Sequence, residues 1–199
     1  YYFHVDGVVA RYCLFYTDGK VTDEFNDDFR SLKVKTNRST IRSMKAKLDR
    51  RVEKIVSSIP VQAKASEKER LIHDYIVDNV AYDTSVSLDN ISAQDTLPHS
   101  FDLYGAVCEG KAVCEGFAKM FQYLCGRVGI QATVVQGDAN GAHMWNAVRI
   151  GKAWYHVDVT WDDNYSVISR SYKFYNVATK ELKKTHKIIK SSLYVPDCR

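Results

Sequence analysis

Proline is scarce in this chain, 3 residues in 199, and its 5 cysteines never form a CxxC pair. Without that spacing a structural zinc site is not expected, and no motif asks for another metal or a cofactor. An odd number of cysteines leaves at least one thiol free. No apolar run is long enough to cross a membrane, so no integral membrane segment is expected. Repeats and low-complexity segments are missing too. There is no signal peptide, and the chain begins at Tyr1 rather than Met, which reads as a fragment or a processed chain. Charge of one sign is limited, at net +4. The densest basic run, residues 33–54, has no interleaved aromatics and reads as a solvated helix face, not a nucleic-acid surface. What is present is a 45% hydrophobic composition with 13 tyrosines, enough for one sizeable core.

Periodicity divides the chain. Residues 2–16 alternate and are rich in Val, Tyr and Phe. They read as two strands turning near Asp6-Gly7, with a further short strand after the turn at residues 17–20. Residues 40–59 read as a helix capped near Ser39 or Thr40 and closed by Pro60. Residues 66–80 read as a second helix with a capping box, Ser66 and Glu69, and an apolar face of Leu71, Ile72, Tyr75, Ile76 and Val80. A boundary near residue 38 follows, with the first 38 residues a β-rich segment of the same domain or the end of a preceding one.

The most informative stretch surrounds Cys114. A small-residue turn, residues 110–113, runs into residues 114–128. There Phe117, Ala118, Phe121, Leu124, Cys125 and Val128 fall at helical spacing. Cys114 thus sits in a first helical turn, where free N–H groups and the positive dipole end favour a thiolate and can hold an oxyanion. Residues 131–136 read as a strand and 137–141 as a loop. Residues 143–150 and 153–160 then read as two strands joined at Gly151-Lys152, a two-residue turn of type II′ or I′. That turn pairs Ile150 with Ala153, and it puts Trp145 opposite Asp158 and His143 opposite Thr160. His143 and Asp158 become diagonal neighbours on one face, and a one-residue slip would separate them. A thiol at a helix start, with a His and an Asp on one hairpin, is the equipment of thiol acyl transfer. Spacing alone does not bring Cys114 to that face.

The order of these residues resembles the transglutaminase-like superfamily, in particular its bacterial branch, which is often secreted or surface-bound. The matching pieces run from Leu71 to His186. They are Ile72-His73-Asp74-Tyr75-Ile76-Val77, Val80-Ala81-Tyr82-Asp83, Tyr104-Gly105-Ala106-Val107 and residues 110–118 around Cys114. They continue with His143-Met144-Trp145-Asn146, residues 154–163 around Asp158 and Phe174-Tyr175-Asn176-Val177. The resemblance implies an α+β, papain-like core over residues 39–199, with the Cys helix packed on an antiparallel sheet that carries His and Asp. It implies a peptide, protein or cell-wall amide substrate and an extracellular or cell-surface setting. Glu115 stands where the animal crosslinking enzymes have Trp, which weighs against crosslinking, and the resemblance to bacterial members implies hydrolysis. Met144 replaces a common Ala, and Asn164 a frequent Pro.

Cys114, His143 and Asp158 are therefore the candidate catalytic residues. Tyr104, Trp145 and Trp161 are candidates for an oxyanion donor or cleft wall. His156, with the parity of Asp158, is a rival base better explained as structural, and His73 reads as a buried hydrogen-bonding residue. Cys125 reads as a core thiol, Cys198 lies in the tail, and Cys108 could cap Cys114 as a disulfide. Two other functions fit the same residues: a non-catalytic module gripping a peptide or glycan, and a thioester-dependent acyltransferase.

Overall fold

Short turns set the frame. The computed structural model describes residues 15–17, 20–22, 38–86, 99–163, 170–191 and 197–199. The chain divides into two units, Tyr1–Lys45 and Ala46–Arg199. In the first, β1 (Phe15–Thr17) pairs antiparallel with β2 (Lys20–Thr22), Thr17 facing Lys20. The strands expected over residues 2–14, and Cys13, lie outside the described residues.

Helix α1 (Arg38–Ser57) starts ahead of the expected Ser39 or Thr40 cap and ends before Pro60. Leu48, Val52 and Ile55, one turn apart, are buried, while the charged residues between them face water. Helix α2 (Ala65–Asn79) corrects the sequence reading in two ways. Its N-cap is Lys64, with no side-chain cap, so the Ser66–Glu69 box does not form. Glu69 turns inward instead and accepts from Asn176 Nδ2 at 3.0 Å. The buried face is accordingly Glu69, Ile72, His73 and Ile76, and Leu71 is 37% exposed.

Strand β3 (Ala81–Tyr82) pairs in parallel with β4 (Lys111–Ala112), which leads directly into α3 (Cys114–Arg127). Between them lie a 3₁₀ turn, His99–Phe101, and a π-helical turn, Gly105–Glu109. Phe117, Met120, Phe121, Leu124 and Cys125 leave α3 almost no exposed apolar surface. Burial of each large side chain contributes about 1.5–3 kcal/mol. The helix lies against α2 on one side and β5 and β6 on the other.

The main sheet is antiparallel, in the order β7-β6-β5-β8, with β5 (Ala132–Asp138), β6 (Ala142–Ile150), β7 (Ala153–Val157) and β8 (Lys187–Ser191). Strand β5 extends two residues into the expected loop, because Asp138 still pairs with Ala142. The β6–β7 register is as read from the turn: Ile150 faces Ala153, and Asn146 faces Val157. Gly151 has φ 63° while Lys152 stays at negative φ, which excludes type I′ and suits II′. Strand β7 ends sooner than residue 160. Asp158 N donates to Phe174 O, and the chain turns into α4 (Val159–Asp162) with Asp158 as its N-cap. On one face of the sheet Val135, Trp145 and Ala147 pack with Phe174, Leu182 and Cys198. Cys198 is thus a core residue despite its place near the end of the sequence. Helix α5 (Thr179–Leu182) precedes β8. The second unit is an α+β, papain-like arrangement of a central helix on an antiparallel sheet.

Candidate active site

Cys114 occupies the first turn of α3. Its predecessor Val113 is extended and donates its N–H to Ser100 O at 2.9 Å, which ties the helix start to the 3₁₀ turn. The approach is close: a Cβ on Gly116 would stand 2.6 Å from Ser100 O. Ser100 in turn donates to Asp83, whose carboxylate also meets Lys111 Nζ at 2.8 Å. Burial opposes ionisation of Asp83, but the hydrogen bonds from Lys111, Ser100 and Ser85 hold its carboxyl well below the usual range. The first intrahelical bond of α3 is Phe117 N to Val113 O at 3.1 Å, so the Cys114 N–H lies ahead of it at the positive helix end.

Among the four described free cysteines, Cys114 alone is not buried. Burial pushes the thiols of Cys108 and Cys125 up, and that of Cys198 to about 11. Cys108 and Cys114 are not joined as a disulfide.

His143 lies one residue into β6, opposite Gly137. Its Nε2 is 2.7 Å from Asp158 Oδ2, and the Cys114 thiol is close enough to help raise the ring's pKa. With Nε2 engaged by the carboxylate, Nδ1 is left for the thiol. Burial disfavours the imidazolium, but Asp158 and Cys114 outweigh it and push His143 up to about 10. Trp145 stacks beside the ring at 5.9 Å, and Trp161 tilts against it at 6.0 Å.

Asp158 is fully buried. Its Oδ1 accepts from Trp161 N at 3.1 Å. Its Oδ2 accepts from His143 and, at 3.0 Å, from His186 Nε2. Burial alone would raise this carboxyl, but His143, His186 and the Trp161 N–H hold it below the usual value. Asp158 is thus both a helix cap and a partner of His143, although it lies past the strand end rather than in mid-strand. It lies one residue beyond the last hairpin pair, Asn146 with Val157, and still reaches His143.

Three side chains depart from, or add to, the sequence reading. The Trp145 indole N–H donates to His156 Nδ1 at 3.3 Å, so it is not an oxyanion donor and the residue is a core wall. Tyr104 packs its ring on His99 and under Lys47, and none of its described contacts reaches His143 or Asp158. Asn146, unremarked in the sequence, donates Nδ2 to Ala118 O at 3.0 Å and Thr133 O at 3.3 Å, pinning α3 to β5 and β6. His156 also meets Thr179 Oγ1 at 3.2 Å, and burial followed by nearby His186 pushes it down to about 4. It is a neutral structural residue. His73 is wholly buried, 3.3 Å from Asp162 Oδ2.

His143, Asp158 and His186 are the one cluster among the described residues with three metal-capable atoms within 4.8 Å. Two ligands of a tetrahedral zinc with bonds of about 2.0–2.1 Å stand roughly 3.3 Å apart. Here both nitrogens meet one oxygen at 2.7 and 3.0 Å, so the cluster as it stands is a hydrogen-bonded relay.

A family model described as "Transglutaminase-like superfamily" matches residues 52–159, more than half of the chain. The chain belongs to the transglutaminase-like superfamily. The match ends just past Asp158 and includes Cys114 and His143. Kyphoscoliosis peptidase from Homo sapiens is 27% identical over 124 residues, and that from Mus musculus 28% over 108. These alignments cover 55% and 48% of this chain but 18% and 15% of the relatives, so the chain spans less than a fifth of their length. A solved structure titled as a TGase has a TM-score of 0.49 at 19% identity, covering 77% of this chain and 42% of its own. Legionella pneumophila LapG has a TM-score of 0.48 at 13% identity, covering 79% and 86%. Within this superfamily Glu115 is well placed structurally: it is buried and pairs with Lys119 at 2.7 Å, one helical turn on.

Proposed function

We propose that the protein is a thiol-dependent amidase or peptidase that cleaves peptide or cell-wall amide bonds through Cys114, His143 and Asp158. The observation that carries this reading is His143 held at 2.7 Å by the buried Asp158 carboxylate, with the Cys114 thiol near enough to favour the imidazolium. A His pushed up to about 10 holds its proton at neutral pH, and that proton is the counter-charge of a thiolate. The thiolate adds to the amide carbonyl carbon, and the oxyanion forms near the Cys114 N–H at the head of α3. As the C–N bond breaks, His143 gives its proton to the leaving amine, and the acyl group remains on sulfur as a thioester. Neutral His143 then takes a proton from water, which attacks the thioester. The acid leaves and the thiol is regenerated. Asp158 holds the His143 tautomer throughout. Glu115 in place of the Trp of crosslinking enzymes favours water over an amine as acceptor, in keeping with the name peptidase carried by the human and mouse relatives.

The test is selective alkylation followed by acyl-enzyme capture. Iodoacetamide at pH roughly 6–7 should label Cys114 before the other cysteines, since the thiolate is the reactive form. Peptide amides or thioesters should then leave a covalent adduct on the wild type and none on Cys114→Ala. Slow, even labelling of accessible thiols and no adduct on any probe would reject catalysis in favour of a binding module.

A further inference from the structure

We propose that His186 is a positioning residue for the site: its Nε2–H keeps the Asp158 carboxylate ionised and aimed at His143, and Thr185 sets the tautomer that makes this possible. The proposal rests on the catalytic reading of Cys114, His143 and Asp158. A wholly buried carboxylate needs several donors to stay charged. Asp158 has three, and they come from three places: Trp161 N in α4, His143 in β6, and His186 in the connection between α5 and β8. His186 is 3% exposed. Its ring is confined by Trp161 at 4.6 Å, Trp145 at 5.0 Å and Phe174 at 5.3 Å, so it cannot swing away from the carboxylate.

The proton inventory follows from the partners. His186 Nδ1 lies 2.7 Å from Thr185 Oγ1. Asp158 can only accept, so His186 carries a proton on Nε2; the Thr185 hydroxyl, which also lies 3.3 Å from Leu182 O, gives its one proton to the shorter contact at Nδ1. The Thr185 N–H and the His186 N–H both return to Leu182 O, at 3.0 and 2.9 Å, which holds the two side chains in this order. Thr185 therefore orients His186, His186 and His143 share Oδ2, and His143 keeps Nδ1 for Cys114. An aromatic ring that merely filled space would not place an N–H on that oxygen. The titratable groups around the carboxylate are His143, with Cys114 of α3 behind it, and His186. His156 of β7, pushed down to about 4, is neutral at the pH of the test.

The experiment measures the rate of Cys114 alkylation by iodoacetamide against pH in the whole chain, which needs no substrate. In His186→Phe the carboxylate loses the donor that holds its Oδ2 in place beside His143, so the imidazolium is less well paired and the thiolate appears at higher pH. The midpoint should rise by about one pH unit, slowing labelling near pH 6 roughly tenfold. His186→Gln keeps an N–H near the Nε2 position and should restore the wild-type midpoint. Thr185→Val frees the tautomer and should shift the midpoint in the same direction by less. Circular dichroism checks that each variant is folded. A His186→Phe profile that overlays the wild type, or a His186→Gln profile as displaced as His186→Phe, overturns the role of His186 while leaving the catalytic reading intact. A wild type whose Cys114 reacts no faster than an ordinary exposed thiol overturns both.

Discussion

Replacing Glu69 by Gln should stabilise the protein, and only above mildly acidic pH. Glu69 lies in α2 with no exposed surface. Asn176 Nδ2 donates to its Oε2, while its Oε1 and the Asn176 Oδ1 are both buried acceptors without a hydrogen-bond partner. A protonated or amide side chain at position 69 brings a donor to this acceptor-rich pocket. Burial pushes Glu69 up from 4.5 to about 7, only partly offset by Asn176, Tyr175 and nearby His73. A carboxyl raised on folding favours the native state below pH 4.5, and that advantage is lost as pH rises through about 7. Gln carries the missing donor permanently. The stability difference between Glu69→Gln and wild type should be near zero at pH 4 and about 1.4 kcal/mol at pH 5.5. It should level off near 3 kcal/mol above pH 8, at about 1.4 kcal/mol per pH unit. For a chain of this size that is roughly 6–12 °C in Tm at the plateau. Thermal melts of both proteins from pH 4 to 9 test this, because other titrations cancel in the difference. A difference that does not change with pH, or a variant less stable at pH 8, would refute the protonated-pair account.

Asp158→Asn should stay folded by circular dichroism but lose selective labelling of Cys114, with turnover falling by as much as about 10⁴, the loss seen in the serine-protease triad; near-normal turnover would mean that another group orients His143. The His143–Asp158 pair also sets a pH window. His143 contributes fully below 6.5 and fades as pH rises through about 10, and Asp158 contributes above 3.8. The Tm penalty of Asp158→Asn should therefore be largest between about pH 4 and 6.5, and a penalty that grew toward pH 10 would contradict the pairing. Gly137→Ala should destabilise by about 1–3 kcal/mol, because a Cβ there would stand 2.2 Å from Lys187 O and 2.5 Å from the Trp145 ring, at the irregularity where β8 leaves register. A Gly137→Ala variant that melts with the wild type would show that β8 does not approach so closely.

Local rules carried the sequence a long way. The two-residue Gly151-Lys152 turn sets the register of the hairpin as far as Asn146 and Val157, which leaves Asp158 one residue beyond the last pair and within reach of His143. The helical spacing from Cys114 to Arg127 required a buried helix with the thiol at its head. Both are short-range effects, set by sterics in a turn and by period in a helix. Where the reading failed, distant partners had won. Glu69 gave up a capping role because Asn176, 107 residues away, offers a buried hydrogen bond. Strand β7 stopped at Val157 because Phe174 takes up the Asp158 N–H. His186 stood only as the end of the stretch that resembles the family, since its neighbours show neither period nor motif. Only the connection from α5 to β8, folding back over the end of the hairpin, sets it 3.0 Å from a carboxylate 28 residues earlier. Hydrogen-bond partners of buried charges are chosen by tertiary proximity, and proximity across that distance is not written in any local pattern of residues.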